Sequence, residues 1–240
     1  MINIYENIIL LRQKVNHTAA LVDRNANTIN IVAASKGQSV ARIREAYAGG
    51  LRNFGENYLQ EAQIKMDQLL DLAISWHFIG PVQSNKTAIL AQRFDWIHSV
   101  DRFRIAERLS RQRPDHLPPL QICLQVNIDS ETSKSGLMPE LAAELAEAVC
   151  ELPRLKLRGL MAIPRPRAKV EEQAQPFHAL AELLADIKFR SPKLAALDTL
   201  SMGMSNDLVA AVKEGATMVR VGTAIFGPRE TSPHKLSPHR

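Results

Sequence analysis

The sequence predicts an α/β fold, a single (β/α)8 TIM barrel. Three observations predict it. Eight short apolar runs rich in β-branched residues recur along the chain, a helical pattern flanks each of them, and the rhythm fills 240 residues without a linker, a low-complexity stretch or a short internal repeat. An open doubly wound sheet is the competing architecture for the same alternation. Eight strand–helix units at this length leave little room for anything else, which favours the barrel.

The opening MINIYENIILLRQKV has the apolar spacing of an amphipathic helix. Residues 29–35 (INIVAAS) read as a buried first strand, 39–48 as a helix and 51–54 as the second strand. Residues 57–72 are helical, with Leu59, Ala62, Met66 and Leu69 near one face. Residues 75–79 (SWHFI) form the third strand and 84–93 a helix. Residues 95–100 (DWIHSV) and 120–128 (LQICLQVNI) are the next strands, joined by a helix over 102–111. A strongly amphipathic helix spans 138–152 and ends at Pro153. The last strands are 156–163 (KLRGLMAI), 197–202 (LDTLSM) and 217–221 (TMVRV), separated by helices over 170–189 and 205–214. Residues 1–227 thus form one domain, and the polar, proline-containing residues 228–240 read as a disordered tail.

Composition narrows the function classes. The formal net charge of +5 invites a nucleic-acid reading. Lys and Arg are nevertheless spread along the chain and alternate with acids, which is the pattern of solvated helix faces. Aromatic residues make up only 5%, too few for a base-stacking platform. A mildly positive field also suits a small phosphorylated ligand. Cys123 and Cys150 have no metal-ligand spacing, and Cys123 lies in an apolar run as a small core residue. The first helix carries Glu6 and lacks the basic start and cleavage site of a signal peptide, and no run reaches membrane-spanning length. A cytoplasmic protein is expected, with neither nucleic acid nor membrane as a partner.

Lys36 directly follows the first strand, at the barrel end where active sites are built. It is either a strand-ending lysine reaching solvent or a functional amine. Beside an apolar mouth an ammonium loses solvation, which favours the neutral amine that attacks an aldehyde. A second signal lies after the seventh and eighth strands, where barrels often cradle a phosphate. There Gly203 and Gly222 allow close backbone approach, and Ser201 and Thr223 offer hydroxyls. Ser205, Asn206 and Asp207 are candidate caps for the following helix. His77 alternates with Trp76 and Phe78, so it reads as a satisfied core histidine before a general base, and His98 is equally ambiguous. Ser133–Gly136 (SKSG) at the same rim is a candidate either for helping to retain the phosphate or for a second binding location, whereas Lys86, Lys134 and Arg158 read as surface charge. No metal-spaced cluster, nucleophile elbow or Walker loop is present in the sequence.

The segments ASK, FGENYLQEA, WHFIGPVQSNK, SVDR, QVNIDSETSKSG, LRGLMAI, LSMGMSNDL and VRVGTAIFG, in register from about Ile31 to Gly227, resemble the pyridoxal phosphate homeostasis protein family. That family is similar to the barrel domain of alanine racemase and ornithine decarboxylase, the fold-type III pyridoxal phosphate enzymes. Gly37 and Val82 depart from a common threonine and leucine without removing a ligand.

The resemblance implies pyridoxal 5′-phosphate as the cofactor, held as a Schiff base by Lys36. It implies phosphate contacts from Ser201, Gly222 and Thr223, with Met202 and Gly203 completing the loop. Asn57 would lie near the cofactor ring and its phenolic oxygen, or cap its helix. Arg220 would face the pyridine nitrogen, or else form a structural ion pair inside the barrel. Arginine only donates, so a nitrogen facing it stays unprotonated and the ring becomes a weak electron sink. The implied role is a monomeric cofactor carrier in vitamin B6 homeostasis, with apoenzymes as recipients. The rival is an amino-acid racemase, which needs a base on each cofactor face. Tyr58 is the candidate for the second base, because nothing in the sequence corresponds to the additional β domain that supplies the racemases' tyrosine. A nucleic-acid or protein-interaction module rests on the basic charge alone.

Overall fold

The structure, a computed structural model, describes residues 3–131 and 135–228. Eight parallel strands close into a barrel in sequence order: β1 (Asn30–Ala34), β2 (Asn53–Glu56), β3 (Ser75–Phe78), β4 (Trp96–Val100), β5 (Leu120–Gln125), β6 (Leu155–Met161), β7 (Thr199–Ser201) and β8 (Met218–Val221). Closure comes from β8 pairing with β1, with Val32 opposite Arg220 and Ala33 opposite Val221. The doubly wound alternative is thereby excluded.

Helices cover the outside: α1 (Ile4–Ala20), α2 (Val40–Ala48), α3 (Leu59–Gln68), α4 (Thr87–Arg93), α5 (Phe103–Gln112), α6 (Ala142–Cys150), α7 (Val170–Arg190), α8 (Leu208–Lys213) and α9 (Thr223–Phe226). Asn3 caps α1 by accepting from the Glu6 amide, and its buried face, Ile4, Ile8, Leu11, Val15 and Ala19, repeats every three to four residues. That face packs on α2, α8 and α9, so α1 lies across the seam where the barrel closes.

The alternation of β-strand side chains yields two cores. A large one joins strands to helices through residues such as Phe54, Leu90, Ile122, Phe177 and Phe226. A smaller one, Val32, Trp96, Cys123, Met161 and Met218, is separate from it and made of strand residues alone. Cys123 is fully buried there, and burial pushes its thiol up to about 12.

Three of the boundaries that differ from expectation have clear local reasons. The second strand starts at Asn53 because the Leu51 amide still bonds to Ala46 at the end of α2. The helix expected from residue 57 starts at Leu59, with Tyr58 as a cap residue that makes no side-chain bond. The helix expected from 205 starts at Leu208, because Asp207 accepts from the Met204 amide (2.5 Å) and closes a turn over the barrel mouth. The expected tail from residue 229 onward, and Ser133 and Lys134 of the SKSG segment, lie outside the described residues.

Candidate functional site

The strands end in a cavity of about 410 Å³ at their carboxyl mouth. Its lining brings Lys36, from the end of β1, together with Arg220 of β8. Gln38, Asn57, Ser205, Asn206 and Thr223 supply polar groups, and Ala34, Ile79 and Ile163 an apolar wall. No carboxylate is among the lining residues.

The main chain on both sides of Lys36 is fixed from behind the barrel. The Ser35 hydroxyl donates to Glu56 Oε1 (2.6 Å), and Lys65 Nζ reaches Glu56 Oε1 (2.7 Å), Glu61 Oε1 (2.6 Å) and the Ser35 carbonyl (2.7 Å). Glu61 Oε1 also accepts from the Gly37 amide (2.5 Å). Glu56 is fully buried and its Oε2 has no partner among the described residues, so desolvation pushes its carboxyl up while Lys65 and Ser35 pull it down. This brace leaves the half-buried Lys36 side chain to the cavity, with Nζ 5.8 Å from the Tyr58 ring centroid.

Asn57 reaches the cavity through a close crossing of two loops. A Cβ on Gly80 would stand 2.2 Å from the Asn57 carbonyl oxygen, so only glycine lets the β3 exit lie against that backbone. Asn57 therefore lines the cavity and does not cap α3.

Arg220 is 4% exposed. Its amide donates to the Gly203 carbonyl, Nη1 donates to Ser201 O (2.6 Å) and Ser201 Oγ (2.7 Å), and Nη2 donates to Ala162 O (2.9 Å). Burial lowers it to about 10, which leaves it protonated at neutral pH. The expectation of a structural ion pair finds no carboxylate partner among the described residues. Its Nε–H and one Nη2–H have no protein partner there either, and the side chain borders the cavity.

Of the expected site residues, the cavity gathers Lys36, Asn57, Arg220, Gly222 and Thr223. Ser201, Met202 and Gly203 are buried outside its lining. The Ser201 hydroxyl is engaged by Arg220 and His98, and Gly203 (φ +91°) is required by packing, since a Cβ would meet Ala211 Cβ at 2.4 Å. The next turn brings Ser205 and Asn206 to the mouth, and Ser205 Oγ accepts from the Ala224 amide (3.4 Å), joining the two loops. Sequence reasoning took these two residues for caps, and the signal it passed over is their distance from the strand: only beyond Gly203 has the chain turned across the mouth. Tyr58 is 60% exposed and does not line the cavity.

His77 and His98 are core histidines, fully buried inside the barrel. A larger cavity, about 460 Å³, lies at the amino-terminal end beside Arg12, Arg52 and Asn53. Its two arginines already donate to the carbonyls of Gly50, Tyr47 and Leu51, and it is remote from the lysine. Among the described residues, no helix is long and apolar enough to cross a membrane and no His, Cys, Asp or Glu cluster could hold a metal.

The alanine racemase, N-terminal domain family matches residues 5–230. A pyridoxal phosphate homeostasis protein of Pseudomonas aeruginosa is 54% identical over 230 residues, covering 96% of this chain and 97% of its own. The Escherichia coli K12 protein of the same name is 47% identical over 235 residues, covering 97% and 99%. PipY of Synechococcus elongatus PCC7942, solved with pyridoxal phosphate bound, is 38% identical at a TM-score of 0.78, covering 89% of this chain and 100% of its own. Alanine racemase of Corynebacterium glutamicum shares the fold at 16% identity and a TM-score of 0.68, with 98% of this chain matching 64% of that one.

Proposed function

The chain belongs to the pyridoxal phosphate homeostasis protein family, within the alanine racemase N-terminal domain family, and from that membership we propose that it holds pyridoxal 5′-phosphate on Lys36. The observation that carries this reading is the convergence of Lys36 and Arg220 on one cavity whose lining contains no acid. The donor set fits the group: an amine for the aldehyde, a guanidinium for the ring nitrogen, and hydroxyl and amide donors for the phosphate. A volume of about 410 Å³ lies within the range of cofactor sites.

Lys36 Nζ would hold the cofactor through its aldehyde carbon, with release of water, as a Schiff base that hydrolysis reverses. Ser205, Asn206, Gly222 and Thr223 line the cavity where the loops after β7 and β8 meet, and they hold the phosphate. Ser201, with Met202 and Gly203, sets the floor below them and positions Arg220. Asn57, which lines the same cavity, would lie against the ring. When bound, the cofactor supplies an electrophilic carbon and a conjugated ring that can accept electrons. Arg220 donates and cannot accept, so it keeps the ring nitrogen unprotonated and weakens that sink. The site therefore favours reversible imine exchange over carbanion chemistry. We place the protein as a cytoplasmic, monomeric carrier that buffers the cofactor and passes it to apoenzymes, without efficient catalysis and with indirect effects on amino-acid pools.

The test is the visible spectrum of protein reconstituted with pyridoxal phosphate, before and after borohydride. An imine band, with the reduced label on Lys36 and lost in Lys36→Ala, supports the reading; label scattered over surface lysines rejects it. Racemisation is the rival, with Tyr58 as the candidate second acid–base group: its ring centroid lies 5.8 Å from Lys36 Nζ, outside the cavity lining. Turnover of amino acids that is lost in both Lys36→Ala and Tyr58→Phe would establish that rival.

A further inference from the structure

Arg220 is a buried cation with no carboxylate in ion-pair contact among the described residues, Asp207 acting on it only through space, and such a charge is costly unless dipoles replace its hydration. Its Ser201 contact continues inward through the barrel. Ser201 Oγ stands 2.7 Å from His98 Nδ1, His98 Nε2 stands 2.9 Å from His77 Nδ1, and His77 Nε2 stands 3.1 Å from Asn53 Oδ1. His77 also stacks on Trp96, with ring centroids 5.5 Å apart and planes within 11°. Five side chains from β8, β7, β4, β3 and β2 thus join the cavity at one end of the barrel to the amino-terminal cavity at the other, which Asn53 lines.

The chain has one order that satisfies every member. Arg220 can only donate, so Ser201 Oγ accepts from it. The buried hydroxyl proton then has His98 Nδ1 as its acceptor. His98 must carry its proton on Nε2 and donate to His77 Nδ1, and His77 donates from Nε2 to Asn53, with Ser75 Oγ a more distant second acceptor at 3.4 Å. In the reverse order the Ser201 proton is stranded. In the forward order each dipole turns its negative end toward the guanidinium, and aligned bonds polarise one another. Burial keeps both imidazoles neutral, with His77 lowered to about 3 and His98 also far below its ordinary value.

We propose that Ser201, His98, His77 and Asn53 form a one-way hydrogen-bond chain that compensates the buried Arg220 charge and aims its remaining donors at the cavity, making the two histidines positioning residues for the cofactor site. The role toward the cofactor rests on the proposed binding at Lys36; the order of the chain does not.

The experiment is long-range ¹H–¹⁵N correlation of the histidine side chains in the full-length protein at neutral pH, first without cofactor. Both histidines are expected neutral with the proton on Nε2. In Ser201→Ala, His98 loses that preference and the resonances of His77 move with it; Ser201→Thr, which keeps the hydroxyl, restores them. A proton on Nδ1 of either histidine in the wild type, or a Ser201→Ala spectrum unchanged at His77, overturns the proposal. If Ser201→Ala does not fold, the wild-type tautomers still decide. Pyridoxal phosphate is then added to the wild type. A shift at His77, which does not border the Lys36 cavity, is expected and is at least halved in Ser201→Ala. An imine band without that shift overturns the coupling to the cofactor, whereas absence of the band rejects binding at Lys36 and leaves the apo tautomers standing.

Discussion

Lys65 Nζ lies 2.7 Å from the carbonyl oxygen of Ser35, so a buried ammonium on α3 grips the backbone directly before Lys36. The same ammonium faces Glu56, which is fully buried, and Glu61, which holds the backbone directly after it. The position of Lys36 thus depends on charges outside the barrel wall.

Lys65→Met is expected to destabilise the protein by about 3–5 kcal/mol, because it strands a buried carboxylate. Lys65→Met/Glu56→Leu removes both charges and is expected to recover at least half of that loss. Urea denaturation checks both values. A single-variant loss below about 1 kcal/mol would place the pair among weak surface contacts.

The two serines after β7 are expected to separate by ligand. Ser205→Ala removes a cavity hydroxyl and weakens pyridoxal phosphate binding about 10- to 100-fold, the range of a hydrogen bond to a charged group. Unphosphorylated pyridoxal, which lacks the anion, changes less than about twofold on the same scale. Ser201→Ala acts through Arg220 and affects both ligands alike. Fluorescence titration with the two compounds distinguishes these patterns, and equal losses in Ser205→Ala would remove Ser205 from the phosphate.

The fold was legible because strand and helix periods are local: all eight strands overlap the expected runs, and the errors fall where a turn bond competes, as at Leu51 and Met204. Lys36 and Arg220 were legible because each ends or completes a strand whose carboxyl side must face the mouth. The brace was not, since Lys65 lies 30 residues beyond Ser35 in sequence and looks like any helix lysine. Nor was the His77–His98 contact, which depends on the stagger of β3 against β4 and on which face of each strand turns inward. Ser201 and Ser205 differ by one turn of a loop, and only that turn's direction decides which one reaches the cavity.

Gly80→Ala is expected to cost about 1–3 kcal/mol, the range of overpacking, because its Cβ would stand 2.2 Å from the Asn57 carbonyl and backbone atoms cannot rotate away. Relief requires Asn57 to move, so pyridoxal phosphate affinity falls along with the urea midpoint. A stability loss with unchanged affinity would show that the position of Asn57 does not matter to the ligand.

Acidification is expected to destabilise the protein from the histidine range downward. The folded state admits a proton on His77 only near about 3, whereas the unfolded chain accepts it near 6.5, and His98 is lowered in the same direction. Below 6.5 the unfolded state therefore binds more protons, and the stability present above that pH is lost as pH falls. Each histidine contributes a slope of about 1.4 kcal/mol per pH unit, so two acting together cost about 2–3 kcal/mol between pH 6 and 5. His178 opposes this, since Glu214 and Glu182 raise it, but it is a surface group whose ion pairs carry little weight. Urea midpoints across that interval measure the slope, and His98→Gln, which keeps a neutral donor and acceptor, should reduce it by about half. A slope unchanged in His98→Gln would assign the acid sensitivity to other groups and remove His98 from the titration.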